Sequence, residues 1–272
     1  MAAYDIILLG GQSNASGTGV GSVTDEYVPS DDILLMAGDG TPSFEKVGEN
    51  YCLCLNEQGI YPIRIAEEAT GAAGKIGNFA LIFAKRYAKT YLKAGRKVLI
   101  INAAIGGTGF ARPEWGVGNM LHTRMRNMLD KGLSTHPQNR VVAFLWHQGE
   151  HDAFENADWD PDKRYRVHKE NLTATLEDFY TAIGDSSVPF IAAGFCNEWY
   201  LQNAVSCDAV LAAIRECCEA FDGAFVETAD LLSNNQTVGN NDPIHFSRES
   251  LHILGKRYFD AYEQLLQKRK SL

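Results

Sequence analysis

Residues 5–14 read Asp5-Ile6-Ile7-Leu8-Leu9-Gly10-Gly11-Gln12-Ser13-Asn14, an apolar run that breaks into two glycines and then polar side chains. A continuous rather than alternating apolar run suits a parallel strand covered on both faces. Glycines directly after it let the backbone turn sharply from strand into helix. Working outward, four further runs share this character, at Asp32–Met36, Lys97–Asn102, Arg140–Trp146 and Val188–Phe195, and a shorter one lies at Ala224–Glu227. Helical spacing fills the intervals. Phe79, Ile82, Phe83, Tyr87 and Tyr91 form one stripe, and Met120, Leu121, Met125, Met128 and Leu129 a second. Leu172, Leu176, Phe179 and Ile183 form a third, and Leu251, Leu254, Tyr258, Tyr262 and Leu265 a C-terminal one. Alternating strands and helices predict a doubly wound α/β sandwich. No Pro-, Ser- or charge-rich linker divides residues 1–272, so the chain reads as one domain. The least regular stretch, Gly38–Ala73, is expected to be loops over one sheet edge.

Composition narrows the function classes. With 45% hydrophobic and 22% charged residues among 272, the chain is neither disordered nor fibrous. Its 25 basic residues against 34 acidic ones leave a formal charge of −9. That balance repels a phosphate backbone, so neither nucleic acid nor an anionic membrane is expected as a partner. The N-terminus has no basic segment followed by a long apolar run, and no stretch approaches ~20 apolar residues, which gives a cytoplasmic expectation. Six cysteines, none in CxxC spacing, read as reduced and mostly packed thiols.

In an open α/β sheet the ligand sits beyond the carboxyl ends of the strands. Four segments there carry chemistry. After the first strand, Ser13 is either a hydroxyl presented at a tight turn, as a nucleophile requires, or a helix N-cap. The flanking glycines do not make GxGxxG, and no phosphate-loop lysine follows. After the third strand comes Ile105-Gly106-Gly107-Thr108, either a plain turn or a pair of backbone N–H groups free to face an oxyanion. After the fourth comes Trp146-His147-Gln148-Gly149-Glu150-His151-Asp152. His147, Glu150, His151 and Asp152 are metal-ligand types, yet HExxH is absent, and Gln148 reads better as a neutral donor to developing charge. Ahead of the last helix stands Asp242-Pro243-Ile244-His245. A serine hydroxyl needs a base, and the imidazole needs a carboxylate to fix its tautomer; one DxxH loop supplies both.

These blocks, in this order and spanning most of the chain, resemble the SGNH/GDSL hydrolase superfamily and within it the sialate O-acetylesterase-type branch, carbohydrate esterase family six. The resemblance rests on Gly11-Gln12-Ser13-Asn14, Ile105-Gly106-Gly107-Thr108, Trp146-His147-Gln148-Gly149-Glu150 and Asp242-Pro243-Ile244-His245-Phe246. It implies a flavodoxin-like three-layer α/β/α fold with a five-stranded parallel sheet, and hydrolysis of acetyl esters on mono- or oligosaccharides without cofactor or metal. It implies Ser13 as nucleophile, His245 as general base and then acid, and Asp242 as its orienting carboxylate. The oxyanion would be held by the N–H of Ser13, an N–H at Gly107 or Gly106, and the side chain of Gln148, which stands where the wider superfamily has asparagine. Ala15 departs from the larger residue common there. Substrate contacts are expected from Gln12, Gly106, Glu150 and Trp115, with Arg112, Trp199 and Tyr200 also suited to a sugar. Two other readings remain, an esterase or lipase for a non-carbohydrate ester and a carbohydrate-binding protein that keeps the fold. The oligomeric state is not readable.

Overall fold

The computed structural model describes residues 2–48, 50–71, 74–112 and 114–271. Its first strand β1 (Ala3–Gly11) leads into the single turn α1 (Ser13–Ser16), then β2 (Ile33–Met36), the hairpin β3 (Ser43–Val47) and β4 (Asn50–Cys54), and β5 (Ile63–Ile65). A small ribbon of β6 (Ala69–Gly71) and β7 (Gly74–Ile76) precedes α2 (Phe79–Tyr91), β8 (Arg96–Asn102) and α3 (Met120–Ser134). There follow β9 (Arg140–His147), α4 (Glu150–Phe154), α5 (Pro161–Ile183), β10 (Phe190–Ala193), α6 (Asn197–Gln202) and α7 (Ala204–Ala220). The chain ends with β11 (Ala224–Val226), α8 (Asn234–Val238) and α9 (Arg248–Lys270).

The main sheet runs β11-β10-β9-β1-β8-β2-β5. Pairings are parallel throughout except for β5, which lies antiparallel on β2 at one edge. The three-layer α/β/α architecture is as expected, but the sheet has seven strands where five were expected. Beyond the five longer runs, β11 falls on the short run Ala224–Glu227, and the edge strand β5, three residues long, is too short for periodicity to register. The stretch Gly38–Ala73, expected to be loops, holds the β3–β4 hairpin, β5 and β6; Glu49, Ala72 and Ala73 within it lie outside the described residues. Helix α7 also had no clear stripe, because small and sulfur-bearing side chains make up much of its inward face.

β1 shows why the layers form. Its side chains alternate, so Ile7 and Leu9 pack with Phe79, Phe83, Leu254 and Tyr258 of α2 and α9, while Ile6 and Leu8 pack with α3, α5 and α7 residues such as Met125, Leu176 and Ile214. Both faces are therefore apolar and the run looks continuous in sequence. Cys196, Cys207, Cys217 and Cys218 are buried free thiols, and burial pushes Cys196, Cys207 and Cys218 up to about 12. These three thiols stay protonated and behave as packing groups. Strands β2 and β8 lie on one side of β1, and β9, β10 and β11 on the other. Chain connections thus leave in opposite directions around β1, and a crevice opens at its carboxyl end.

Candidate active site

The turn after β1 is possible because position 11 is glycine. Gly11 has φ +129°, and a Cβ there would collide with the carbonyl oxygen of His147 on the neighbouring strand. The Gln12 N–H donates to that same carbonyl at 2.9 Å, locking the β1 and β9 termini together. Gln12 occupies the N-cap position of α1 and Ser13 is the first helical residue. Its N–H therefore has no intrahelical carbonyl to meet, and its hydroxyl meets a histidine: His245 Nε2 stands 2.8 Å from Ser13 Oγ. Ser13 keeps only 8% of its surface exposed, since the chain at Gly106 passes close by; a Cβ there would stand 3.4 Å from that of Ser13.

His245 Nδ1 lies 2.9 Å from each carboxylate oxygen of Asp242. A proton on Nδ1 shared with that carboxylate leaves Nε2 as the acceptor for the Ser13 hydroxyl. Burial would raise the Asp242 carboxyl, but hydrogen bonds from His245 and Asn234 outweigh it and hold the group below its ordinary value. Asp242 is thus a carboxylate at neutral pH.

Two asparagines clamp this loop onto the serine turn. Asn14 Oδ1 accepts from the Phe246 N–H at 3.1 Å, and its Nδ2 reaches the Ile244 carbonyl at 3.2 Å. Asn234 Nδ2 donates to Asp242 and to the Thr18 carbonyl, while its Oδ1 accepts from the Val20 N–H. Asn234 was not singled out from sequence. A Ser233 capping box at the start of a helix was its only local signal, and that signal speaks of a helix end rather than of a site.

Other expected site residues lie elsewhere. Glu150 is fully buried and accepts from Asn14 Nδ2 at 2.7 Å; burial pushes its carboxyl up, and the His147 ring with the Asn14 hydrogen bond brings it below its ordinary value. Gln12 is buried, with Oε1 accepting from the His151 N–H at 3.1 Å. Trp115 has no exposed surface; its ring packs edge-on against Trp146 and its Nε1 donates to Thr108 Oγ1 at 2.9 Å. The expectation that Gln12, Glu150 and Trp115 face a sugar is therefore corrected: all three are turned into the protein by the hydrogen bonds they make. Trp199 is likewise buried, and the Tyr200 hydroxyl is held by Asp208. Gly106 borders Ser13, and Gly107, with φ +71°, is exposed and lies under Phe44 of the β3–β4 hairpin. That hairpin and the loop after Gly107 line a cleft of about 410 Å³ whose walls include Tyr51, Leu53, Arg112 and Met120. Gln148 is buried beside the same loop, its Nε2 3.3 Å from the Thr108 carbonyl. Among the described residues no group of three or more His, Cys, Asp or Glu side chains is arranged to hold a metal ion, and no helix is long and apolar enough to cross a membrane.

Comparison with known proteins identifies the family and the fold. Residues 3–264 match the family described as carbohydrate esterase, sialic acid-specific acetylesterase. A search of curated protein sequences finds no match. Among solved structures, NanS superposes with a TM-score of 0.72 at 17% identity, covering 98% of each chain. A protein from Arabidopsis thaliana gives 0.67 at 17%, covering 97% of this chain and 99% of its own. A carbohydrate acetylesterase from Xanthomonas citri gives 0.60 at 15%, covering 96% of this chain and 56% of its own. At these identities the likeness is one of fold. The family match spans nearly the whole chain, and this protein belongs to the carbohydrate esterase family of sialic acid-specific acetylesterases, carboxylic ester hydrolases that act on acetylated sugars.

Proposed function

We propose that the chain, acting as one domain, removes O-acetyl groups from a carbohydrate by two-step acyl transfer through Ser13, His245 and Asp242. The observation that carries the reading is the 2.8 Å contact between His245 Nε2 and Ser13 Oγ, with Asp242 on the other ring nitrogen. Ser13 Oγ attacks the acetyl carbonyl while its proton passes to His245 Nε2, and the carbonyl electrons move onto oxygen. The tetrahedral oxyanion is met by the Ser13 N–H, an N–H at Gly107 and the Gln148 side chain, each donor contributing about 3 kcal/mol of transition-state stabilisation. Collapse breaks the bond to the sugar oxygen, which takes the proton from His245. Water then gives a proton to His245, attacks the acetyl-serine and releases acetate, restoring the Ser13 hydroxyl. Asp242, kept ionised by its donors, stabilises the imidazolium formed twice in this cycle. The sugar portion lies toward the cleft lined by Tyr51 and Arg112, a ring face and a planar hydrogen-bonding group.

The test is Ser13→Ala assayed with 4-nitrophenyl acetate and with acetylated sugars, alongside labelling by a serine-reactive fluorophosphonate. Turnover and labelling are both expected to vanish with the thermal melt unchanged. Activity at the wild-type level in the variant would remove Ser13 from the mechanism.

A further inference from the structure

Beneath the loop that follows β8 lies a buried carboxylate that the acyl-transfer steps leave unused. Asp152, on α4, is 2% exposed. Its Oδ1 accepts from the Ala111 N–H at 2.8 Å, and its Oδ2 accepts from Gln148 Nε2 at 3.0 Å and from Nδ1 of the fully buried His168 at 2.8 Å. The loop rests directly on this group, because a Cβ at Gly109 would collide with Asp152 Oδ1. A buried carboxylate costs several kcal/mol unless donors surround it, and an apolar side chain would anchor a short helix at lower cost. Its place is therefore explained by what it holds, and one of its three partners is Gln148.

A primary amide presents two N–H groups on one end and a carbonyl on the other, and the ends exchange by a half-turn about the last side-chain bond. For an oxyanion donor that exchange is fatal, since it would set the carbonyl oxygen where negative charge develops. Asp152 forbids it: with Oε1 turned to the carboxylate, two acceptors would face each other at hydrogen-bond distance. One Gln148 N–H is thus spent on Asp152. The other has only longer contacts, 3.3 Å to the Thr108 carbonyl and 3.5 Å to Gln12 Oε1, while Oε1 of Gln148 meets no donor among the described residues. We infer that Asp152 is a positioning residue for the ester hydrolysis, pinning one N–H of Gln148 so that the second is presented to the acyl oxygen in the transition state. His168 in turn fixes the carboxylate, with its ring seated edge-on against Phe110. The inference rests on the acyl-transfer reading above, in which Gln148 is a donor to the oxyanion.

A double-mutant cycle on the full-length chain tests it, using kcat and KM for 4-nitrophenyl acetate with thermal melts of every variant. Gln148→Ala is expected to lower kcat about 10²-fold or more. Asp152→Asn is expected to lower kcat about ten- to a hundredfold with KM within about twofold, because the lost interaction acts only in the transition state. The decisive result is the pair: Asp152→Asn in the Gln148→Ala background should cost nothing further. Independent, multiplicative losses would overturn the inference, as would wild-type kcat in Gln148→Ala. Should Asp152→Asn not fold, His168 carries the test. His168→Asn keeps an N–H at the Nδ1 position and is expected to retain about ten times the kcat of His168→Leu; equal rates in the two variants would also overturn it. Failure here is distinguishable from failure of the serine mechanism, which Ser13→Ala and the fluorophosphonate label report separately.

Discussion

Asn234 Nδ2 donates to Asp242 Oδ2 at 2.9 Å, and the backbone N–H of the same residue donates to the carbonyl of His245 at 2.8 Å. One buried residue therefore holds both parts of the proposed triad, its side chain the carboxylate and its backbone N–H the imidazole segment. Because its remaining bonds run to Thr18 and Val20, it also ties them to the loop that leaves Ser13. Asn234→Ala removes a hydrogen bond to a charged acceptor, worth about 1.5–3 kcal/mol. Expressed in the chemical step, that is a fall in kcat of about ten- to a hundredfold with KM nearly unchanged. Steady-state kinetics on an aryl acetate decide the point, and a wild-type kcat would show that Asp242 is oriented without this donor.

Glu150 lies one layer further in. Its carboxylate accepts from Asn14, the residue that also grips the backbone at Ile244 and Phe246 on either side of His245. Glu150→Ala leaves Asn14 short of its acceptor in a dry site, which costs about 1–3 kcal/mol of stability. It should also lower kcat by loosening the histidine segment. Since Glu150 is fully buried, KM for an acetylated sugar and for 4-nitrophenyl acetate should move together. A rise confined to the sugar would instead assign Glu150 to substrate contact.

The fate of Glu150 shows what could be read in the chain before folding. Strand ends were legible because an apolar run that stops at glycine and polar residues marks the place where a parallel strand leaves the core. Ser13, Gly106 and Gln148 follow from that one rule together with the resemblance, whereas His245, ahead of the last helix, was read from the Asp242–His245 spacing. Side-chain direction was not legible. Trp115 and Glu150 have the residue types of a sugar site, yet Trp115 is drawn against Trp146 by the loop that ends at α3, and Glu150 is turned inward by Asn14. Both outcomes depend on contacts made by residues far apart in sequence. Strand β5, reading Ile63-Arg64-Ile65, illustrates a different obstacle: three residues cannot display a period, and only pairing with β2 makes them a strand.

Asp5 carries the remaining prediction, on stability and pH. It lies near the start of the central strand β1, fully buried, accepting from Arg96 Nε at 2.9 Å, Arg140 Nε at 2.7 Å and the Tyr87 hydroxyl at 2.9 Å. Burial pushes its carboxyl up, but the bonds from Arg140, Arg96 and Tyr87 prevail and hold it below its ordinary value. A group whose folded value is depressed stabilises the fold fully above its unfolded value, about 3.9, and that contribution disappears as pH falls through the folded value. Asp5→Asn should therefore cost about 2–4 kcal/mol at pH 7, where it strips the charge partner from two guanidinium groups. The gap between wild type and variant should hold down to about pH 4 and narrow steadily below it as the wild-type carboxyl takes up its proton. Urea unfolding of both proteins at several pH values between about 7 and 3 measures this directly. A gap that stays constant over the whole range would mean that Asp5 contributes through shape and neutral hydrogen bonding, with no part played by its charge.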